Sequence, residues 1–596
     1  MPGLAPAVAA AILLTGVTAI RTEAMDIRLA DGEITGSFNT TLSVGTAVRV
    51  ADRDSRLVAQ TNGGTGYGIN TDDGDLNYDR GDVVSASTKA THELLLSYRS
   101  FDLFARGFYF YDAEIMNGST ARTAINDAAK AEIGRDVTLL DAYLAVNTYL
   151  GDMPVTVRLG NQVLNWGESV FIQNGINSIA PVELSKLRVA GAELKEAIKA
   201  VPMLDIDLGL TDRLSVEGFY QFGWDDTEIE PAGTFFSTSD LAGPGGEYVF
   251  WGYGVDSLIC DAPPSIGEKP PIGGIARRLP SREPRDGGQF GVAVRWFEPR
   301  LNDAELGFYF HRIHSRLPFV SGRTGTLQGL VDGDYSITGG MFLDFPEGID
   351  TYGVSVSTDI IRTGTAVQGE FSYRPNQPLQ WDSVELAYAI LSPLDPYLDP
   401  ENPDLEAFGL GYLGPWDFEE TITAYRRSKV MQAQIGATQA FGRRLAADQV
   451  ILVGEVGSTI VTDVSDAELE RIDSPGTHLP VDPFFVAAGV APAAQTDGFP
   501  DRVSWGYRLL VLGEYNNVIG AVKLRPRIAF AHDVGGTGPA PITSFVEGRK
   551  TITVGLGASF LMSWSGDISY TNSFGGGEFN LLNDRDFVAV SASYSF

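Results

Sequence analysis

The final stretch of the chain, Phe587-Val-Ala-Val-Ser-Ala-Ser-Tyr-Ser-Phe596, alternates strictly between two kinds of side chain. On an extended strand one face would carry alanine and serine, and the other would carry Val588, Val590, Ala592, Tyr594 and Phe596. The wall of a membrane barrel needs such a pattern, because lipid covers its outside and its backbone must be closed without free edges. This stretch therefore predicts a strand of a transmembrane barrel.

Similar segments recur along the chain, and the terminal Phe596 with an aromatic residue two positions before it resembles the assembly signal of outer-membrane barrels. We predict strands near residues 35–49, 91–100, 102–112, 138–150, 153–165, 203–211, 213–224, 288–297, 303–314, 350–361, 364–374, 429–441, 445–458, 503–515, 518–532, 547–561, 565–572 and 585–596. Short turns alternate with long loops between them. With both termini in the periplasm, the short turns lie on the periplasmic side and the long loops lie outside. The predicted fold is all-β, a single transmembrane antiparallel β-barrel of roughly 18 strands (range about 16–20).

The two faces of these strands differ in chemistry. Apolar rows such as Phe290 to Trp296 and Ile552 to Phe560 are expected to face lipid. Charges facing lipid would cost a few kcal/mol each near the bilayer midplane, so charged residues are expected to face the lumen. The lumen charges that we select are Arg106, Arg158, Glu217, Arg295, Glu455, Lys523, Arg525 and Arg527. They either neutralise one another as structural networks or contact a substrate.

One segment interrupts the strand pattern. Alternation holds from Val155 to Trp166 and then stops, and residues 191–199 consist of good helix formers. We predict that residues 166–202 form a partly helical plug or gate inside the barrel. The residues expected to pin it against lumen charges such as Arg158, Arg525 and Arg527 are Glu168, Asn174, Asn177, Lys186, Arg188, Glu193 and Lys195.

Composition narrows the class of protein. The formal net charge of −32 and the pI near 4.5 disfavour a nucleic-acid partner, which needs a basic surface. After residue 24 no apolar run reaches about 18 residues, so any membrane crossing must use strands. Residues 1–24 resemble a signal peptide cleaved before Met25, although Arg21 follows the apolar stretch instead of preceding it, and an uncleaved anchor is the alternative. Cys260 is the only cysteine, so no intramolecular disulfide forms.

Other motifs give weaker signals. Asp73, Asp75, Asn77 and Asp79 place oxygen ligands at alternate positions, as at the start of a calcium loop. Tyr78 and Val84 stand where such a loop has glycine and a bidentate glutamate, so a solvated turn is the alternative. The histidines are scattered, and no nucleophile and base occur in a recognisable pattern. The sequence therefore favours a protein that is not an enzyme, with an outer-membrane hydrolase as the remaining alternative.

Three of the long loops are unusually apolar. They lie at residues 246–253, 408–416 and 483–490 and contain fourteen aromatic or large aliphatic side chains between Tyr248 and Val490 that a solvated loop would not expose. Either the loops pack over the barrel mouth or they form the entrance for a hydrophobic ligand.

Segments 158–177, 184–196 and 233–240 resemble the outer-membrane proteins of the family of unknown function numbered 1302. That resemblance implies a location in the outer membrane of a Gram-negative bacterium, among lipid and lipopolysaccharide. It also implies that the protein moves lipids or other hydrophobic compounds together with a periplasmic lipid-carrier-like protein and an inner-membrane permease of the resistance-nodulation-division type. The expected function is thus a plugged transporter for a hydrophobic or amphipathic compound, and an open charge-selective porin is the alternative.

Overall fold

A computed structural model describes residues 25–255, 274–398, 407–561 and 563–596 of this chain. The predicted signal peptide and Cys260 lie outside these residues. The described strands, in chain order, are β1 (Met25–Leu29), β2 (Ile34–Arg49), β3 (Val83–Tyr98), β4 (Phe101–Asp112), β5 (Arg135–Leu150), β6 (Met153–Gln162), β7 (Val201–Thr211), β8 (Leu214–Gln221), β9 (Tyr248–Phe250), β10 (Ile275–Arg278), β11 (Gln289–Glu298), β12 (Ala304–Ile313), β13 (Phe319–Arg323), β14 (Gly340–Asp344), β15 (Ile349–Ile360), β16 (Thr365–Gln380), β17 (Thr421–Ile422), β18 (Tyr425–Phe441), β19 (Gln449–Val461), β20 (Val503–Glu514), β21 (Val522–Gly535), β22 (Lys550–Phe560), β23 (Trp564–Phe574) and β24 (Phe587–Ser595).

Eighteen of these strands form a closed antiparallel barrel, which confirms the predicted fold. Each barrel strand pairs with the next one along the chain, and β24 returns to β2 with Thr41 opposite Ser595. Strand β1 pairs with the start of β2, beyond the end of β24. Because the ring is closed by this last pairing, the barrel wall has no free edge to expose to lipid.

The alternation of short and long connections is also present. Residues 99–100, 151–152 and 212–213 are tight turns at the barrel end where β2 begins and β24 ends, and the long loops leave the opposite end. The predicted boundaries differ most at β3, which begins at Val83, and at β16, which continues to Gln380. These extensions lie at the long-loop end, where the apolar row of the lipid-facing side gives way to mixed side chains.

The exterior of the barrel is apolar where the sequence predicts it. Val292, Phe308 and Val554 are 44%, 48% and 47% exposed on the outer face. Such a band of exposed aliphatic and aromatic side chains is typical of a barrel immersed in lipid. None of the described helices is long and apolar enough to cross a membrane.

The long loops fold into a cap, whose second sheet the sequence does not predict. Within it, β17, β13, β14, β10 and β9 form a second sheet in that spatial order. The described α-helices are Asp73–Leu76, Ala113–Asn117, Asp127–Ile133, Leu184–Arg188, Leu194–Ala197, Leu327–Asp332, Tyr335–Thr338, Ser383–Leu391, Asp395–Leu398, Asp466–Leu469 and Phe484–Ala487. The longest, Ser383–Leu391, starts at the N-cap Asp382 and packs Ile390 against Gly322 of β13. The second sheet and this helix share one buried apolar cluster above the barrel.

Candidate functional site

The connection between β6 and β7, residues 163–200, runs through the lumen, and we call it the insert. Its first arm is Gly167–Asn177 and its second arm is Val182–Lys199. The sequence predicts one helix over 191–199, but the second arm contains two short helices, Leu184–Arg188 and Leu194–Ala197. Gly191 between them has a φ of +75°, a left-handed conformation that ends helical geometry there.

Trp166 anchors the beginning of the insert. It is 1% exposed, and its ring centroid lies 5.1 Å from that of Phe219 and 5.9 Å from that of Tyr309. Its Nε1 donates a hydrogen bond of 2.9 Å to Oε2 of Glu217. Because the same carboxylate binds Arg295 at 2.7 Å, the insert is joined to two neighbouring wall strands through one acidic group.

Two wall carboxylates hold the first arm by its backbone. Glu455 accepts the N–H groups of Val170, Phe171 and Ile172 at 2.9, 2.7 and 2.7 Å. The Ile172 side chain lies beside Gly457, where a Cβ atom would come within 2.8 Å of it. A carboxylate that accepts several backbone N–H groups forms charge-assisted hydrogen bonds, which are stronger than neutral ones.

Glu370 makes a similar contact further along the wall. It accepts the N–H groups of Glu168 at 2.7 Å and Ile176 at 3.0 Å. A Cβ atom on Gly167 or Gly175 would lie within 2.5 Å of this carboxylate, so a side chain at either position would push Glu370 away from the backbone. The close approach of backbone to carboxylate depends on these two residues.

Wall side chains also donate to carbonyl groups of the first arm. Gln432 Nε2 donates to the carbonyl of Gln173 at 2.7 Å, and His311 Nε2 lies 3.1 Å from that of Ile176. Arg374 reaches the carbonyl of Gly175. The first arm is thus held from β12, β16, β18 and β19, on one side of the lumen.

The second arm contacts the opposite side. The ammonium group of Lys89 forms a buried ion pair with Glu196 and donates to the carbonyl of Gly191 at 2.6 Å. A Cβ atom on Gly45 of β2 would lie 2.6 Å from the carbonyl oxygen of Ala190. Gly191 faces Ser591 of β24. The insert therefore reaches across the lumen from wall to wall.

The predicted gate residues are divided between the two arms of the insert. Lys186 binds Asp136 at 2.6 Å, Arg188 binds Glu230 at 3.0 Å, and Lys195 binds both Glu93 at 3.0 Å and Glu193 at 3.1 Å. In the first arm, Asn174 donates to the hydroxyl of Ser544 at 3.2 Å, Glu168 makes its wall contact through its N–H, and Asn177 is exposed.

The predicted partners of the insert need correction. Arg158 binds Asp205 at 2.7 Å, Arg525 binds Glu514 at 3.2 Å, and Arg527 makes a two-pronged contact with Asp567. None of these three contacts is with the insert. Each arginine instead meets a carboxylate on a nearby wall strand, where barrel register places it directly in reach.

Three further predicted lumen cations, Arg106, Arg295 and Lys523, follow the same rule, and Arg295 binds Glu217 at 2.7 Å. Arg106 binds Glu93 at 2.9 Å and Asp141 at 2.7 Å, and Lys523 binds Glu514 at 2.8 Å. The described lumen charges therefore largely neutralise one another as structural networks. Sequence reasoning missed Lys89 as an anchor, although its inward position in an alternating strand was a usable signal.

A gap remains between the insert and one part of the wall. It is a cavity of about 560 Å³ between residues 187–193 and strands β20 to β24. Glycine, alanine, serine and threonine make up more than half of its lining, which also includes Arg525 and Arg527. This side of the lumen is polar and is not filled by the insert.

The three apolar loops meet above the barrel, around a cavity of about 730 Å³ that we call the vestibule. Val249, Phe250 and Trp251 come from the first loop, Phe408 from the second and Val490 from the third. The sequence left open whether these loops pack or bind a ligand. They do pack together, and they enclose an apolar space of the size of a small-molecule site.

Three titratable groups of the vestibule, Tyr253, Tyr388 and His478, are uncharged near neutral pH. Burial raises the pKa of Tyr253 to about 12 and also raises that of Tyr388, whose hydroxyl is hydrogen-bonded to it. Burial lowers the pKa of His478 to about 4. Trp251 Nε1 is buried and has no hydrogen-bond partner among the described residues. The described part of the vestibule therefore offers a largely apolar surface with a hydrogen-bond donor at Trp251.

The predicted calcium ligands do not converge. Asp75 forms ion pairs with Arg49 and Arg585, and Asp79 binds Arg53 at 2.9 Å. Asn77 donates to the carbonyl of Gly233 at 2.7 Å. The calcium-loop pattern at Asp73, Asp75, Asn77 and Asp79 is wrong as a ligand set, because a short helix over 73–76 turns these side chains toward different neighbours.

The sequence profile of DUF1302, described as a protein of unknown function, matches residues 1–596. The chain belongs to this family. No curated protein matches the sequence of this DUF1302 chain.

Three solved structures match this chain over most of its length at low sequence identity. Acinetobacter baumannii OccAB4 is 10% identical with a TM-score of 0.41, and 94% of this chain and 98% of that one are covered. A BenF-like porin from Pseudomonas fluorescens Pf-5 is 7% identical with a TM-score of 0.40, covering 94% and 98%. Salmonella typhi OmpF in complex with daunomycin is 8% identical with a TM-score of 0.34, covering 96% and 100%.

Proposed function

We propose that this DUF1302 chain is an outer-membrane channel that carries a hydrophobic or amphipathic compound and is closed at rest by its insert. The observation that carries the proposal is an apolar vestibule placed above a lumen that the insert crosses from wall to wall. An apolar compound could partition into the vestibule, whereas a simple pore for ions would gain nothing from such a surface.

Release of the insert would open the lumen. Among the described residues, the first arm is held by hydrogen bonds to its backbone, by hydrogen bonds from the Asn174 side chain and by small apolar contacts, so it can move without breaking a covalent or strand-pairing constraint. The apolar exterior supports a location in the outer membrane of a Gram-negative bacterium. The periplasmic lipid-carrier-like protein and the resistance-nodulation-division permease are proposed partners on the strength of the family resemblance.

Two experiments test the two halves of this proposal. Deletion of residues 168–199 with a short glycine linker is expected to raise the conductance of the protein in a planar bilayer. An unchanged conductance would reject the insert as a gate.

The vestibule is tested by its ability to retain apolar compounds. The protein is purified in mild detergent, and co-purified lipid is extracted and identified by mass spectrometry. Trp251→Glu is expected to reduce the retained lipid, while Leu410→Glu, on a cap side chain that is 50% exposed and outside the vestibule, is expected to leave it unchanged. Equal retention by both variants and the wild type would reject the vestibule as a binding site.

The polar cavity beside β20 to β24 favours a second candidate, an open charge-selective porin in which the insert is a constriction. That reading predicts a large constitutive conductance of the wild-type protein and no lipid retention. Both quantities come from the experiments above.

A further inference from the structure

We infer that Asp72, Asp73 and Asp240 form a divalent-cation site, suited to Ca²⁺, that joins two loops at the edge of the vestibule. One carboxylate oxygen from each residue can be chosen so that all three lie within 4.8 Å of one another. Calcium binds oxygen ligands at about 2.3–2.6 Å, so ligands on one ion can lie up to about 5 Å apart. The spacing therefore suits a shared ion.

Unpartnered oxygens point to a ligand independently of this spacing. Asp72 is fully buried, and its Oδ2 accepts hydrogen bonds from the N–H of Ala59 at 2.8 Å and from Nδ2 of Asn62 at 3.0 Å. Oδ1 of Asp72 and Oδ1 of Asp240 are both buried without a hydrogen-bond partner in the part of the chain that the structure describes. Burying a charged oxygen without a partner costs more free energy than losing an ordinary hydrogen bond. A ligand that contacts Oδ1 of Asp72 and Oδ1 of Asp240 would therefore offset a substantial penalty.

The charge balance around the three residues supports a cation. No described residue forms an ion pair within 4.0 Å with the carboxylates of this cluster. Arg122 and Arg585 are positive groups that act on the cluster over longer distances. Burial raises the pKa of Asp72 to about 6 and holds that of Asp240 well above its usual range. Without a cation, this cluster must either bind protons or remain strongly repulsive.

A second acidic cluster in the chain shows the contrast. Asp225, Asp226 and Glu228 also bring three carboxylates together, but Lys199 places its ammonium group 2.7, 3.7 and 2.6 Å from them. That cluster already has its cation from the chain itself. The Asp72 cluster lacks such an ammonium group among the described residues, which leaves an external cation as its counterpart.

The consequence of binding follows from where these residues lie. Asp72 and Asp73 belong to the β2–β3 loop, and Asp240 belongs to the β8–β9 loop. Asn70, two residues before Asp72, accepts the N–H of Asp240 and exchanges two hydrogen bonds with the backbone of Phe250 in the vestibule wall. A cation at the cluster would clamp this part of the vestibule.

The test is a calorimetric titration of CaCl₂ into the full-length protein, purified in detergent and stripped with a chelator. Saturable binding is expected with a dissociation constant of roughly 10⁻⁵–10⁻³ M. Asp72→Asn and Asp240→Asn should each weaken it at least about tenfold, because each removes one ligand charge. Asp79→Asn, in the same loop but paired with Arg53, is the matched control and should bind as the wild type does.

Folding of each variant is checked by the heat-dependent mobility of the barrel on a gel. If Asp72→Asn fails to fold, the calcium affinity of Asp240→Asn tests the site, because the wild-type Asp240 carboxylate makes fewer hydrogen bonds than that of Asp72. Absence of saturable heat in the wild type would overturn the inference. So would a variant pattern in which Asp79→Asn loses binding and Asp240→Asn retains it.

Discussion

Replacement of Glu455 by glutamine tests how the first arm of the insert is held. Oε2 of Glu455 accepts the N–H groups of Phe171 and Ile172, and Oε1 accepts that of Val170. A glutamine of the same shape can keep its carbonyl oxygen toward the first two groups. Its NH₂ group then faces the N–H of Val170, so that hydrogen bond is lost and the negative charge disappears.

The size of the effect can be worked out from these contacts. Leaving one N–H without an acceptor costs about 1–3 kcal/mol, and exchanging a charged for a neutral acceptor costs roughly 1 kcal/mol for each of the two remaining bonds. Val170 and Phe171 are 46% and 36% exposed, so water replaces part of what is lost. We expect a net loss of about 2–3 kcal/mol, which corresponds to about a 30- to 150-fold shift toward a released first arm.

Single-channel recording in a planar bilayer measures this shift as the ratio of open to closed time. Glu514→Gln is the matched control, because Glu514 faces the lumen and pairs with Lys523 and Arg525 instead of the insert. We expect a large increase in the ratio of open to closed time for Glu455→Gln and little change in that ratio for Glu514→Gln. Equal open fractions in the two variants, both folded by gel mobility, would refute the role assigned to Glu455.

Two further predictions concern the second arm and the cap. Lys89→Met should destabilise the protein by about 3–5 kcal/mol, because it leaves the buried carboxylate of Glu196 without its partner, and denaturant unfolding followed by tryptophan fluorescence measures the loss. If the double variant Lys89→Met/Glu196→Gln is not more stable than Lys89→Met alone, the buried ion pair is not the cause. Burial raises the pKa of Asp473 to about 7, above the ordinary value of 3.8, so its contribution to cap stability is full below about pH 4 and is lost as the pH rises through 7. Protease cleavage of the cap should therefore become slower as the pH is lowered from 8 to 5. This pH effect should be smaller in Asp473→Asn and unchanged in Asp466→Asn, whose side chain is exposed. An equal pH effect in both variants would contradict the assignment to Asp473.

The strands and their faces followed from the sequence because dyad alternation is a local property. Whether Val292 faces lipid and Glu455 faces the lumen depends on parity along one strand, and both were predictable without knowing any neighbour. The insert was visible for the same reason, since alternation stops after Trp166. Short and long connections then fixed which barrel end carries the cap.

Which groups meet inside the barrel depended on closure and register, which no local pattern encodes. Glu455 and Ile172 are 283 positions apart and meet only because the insert crosses to the far wall. Arg527 reaches Asp567 because Gly555 on the strand between them has no side chain, so it pairs there and not with the insert. Asp240 joins Asp72 and Asp73 only when separate loops fold into one cap. Alternation along a strand thus determined the wall of this protein, while contacts between distant strands and loops decided its plug, its vestibule and its acidic cluster.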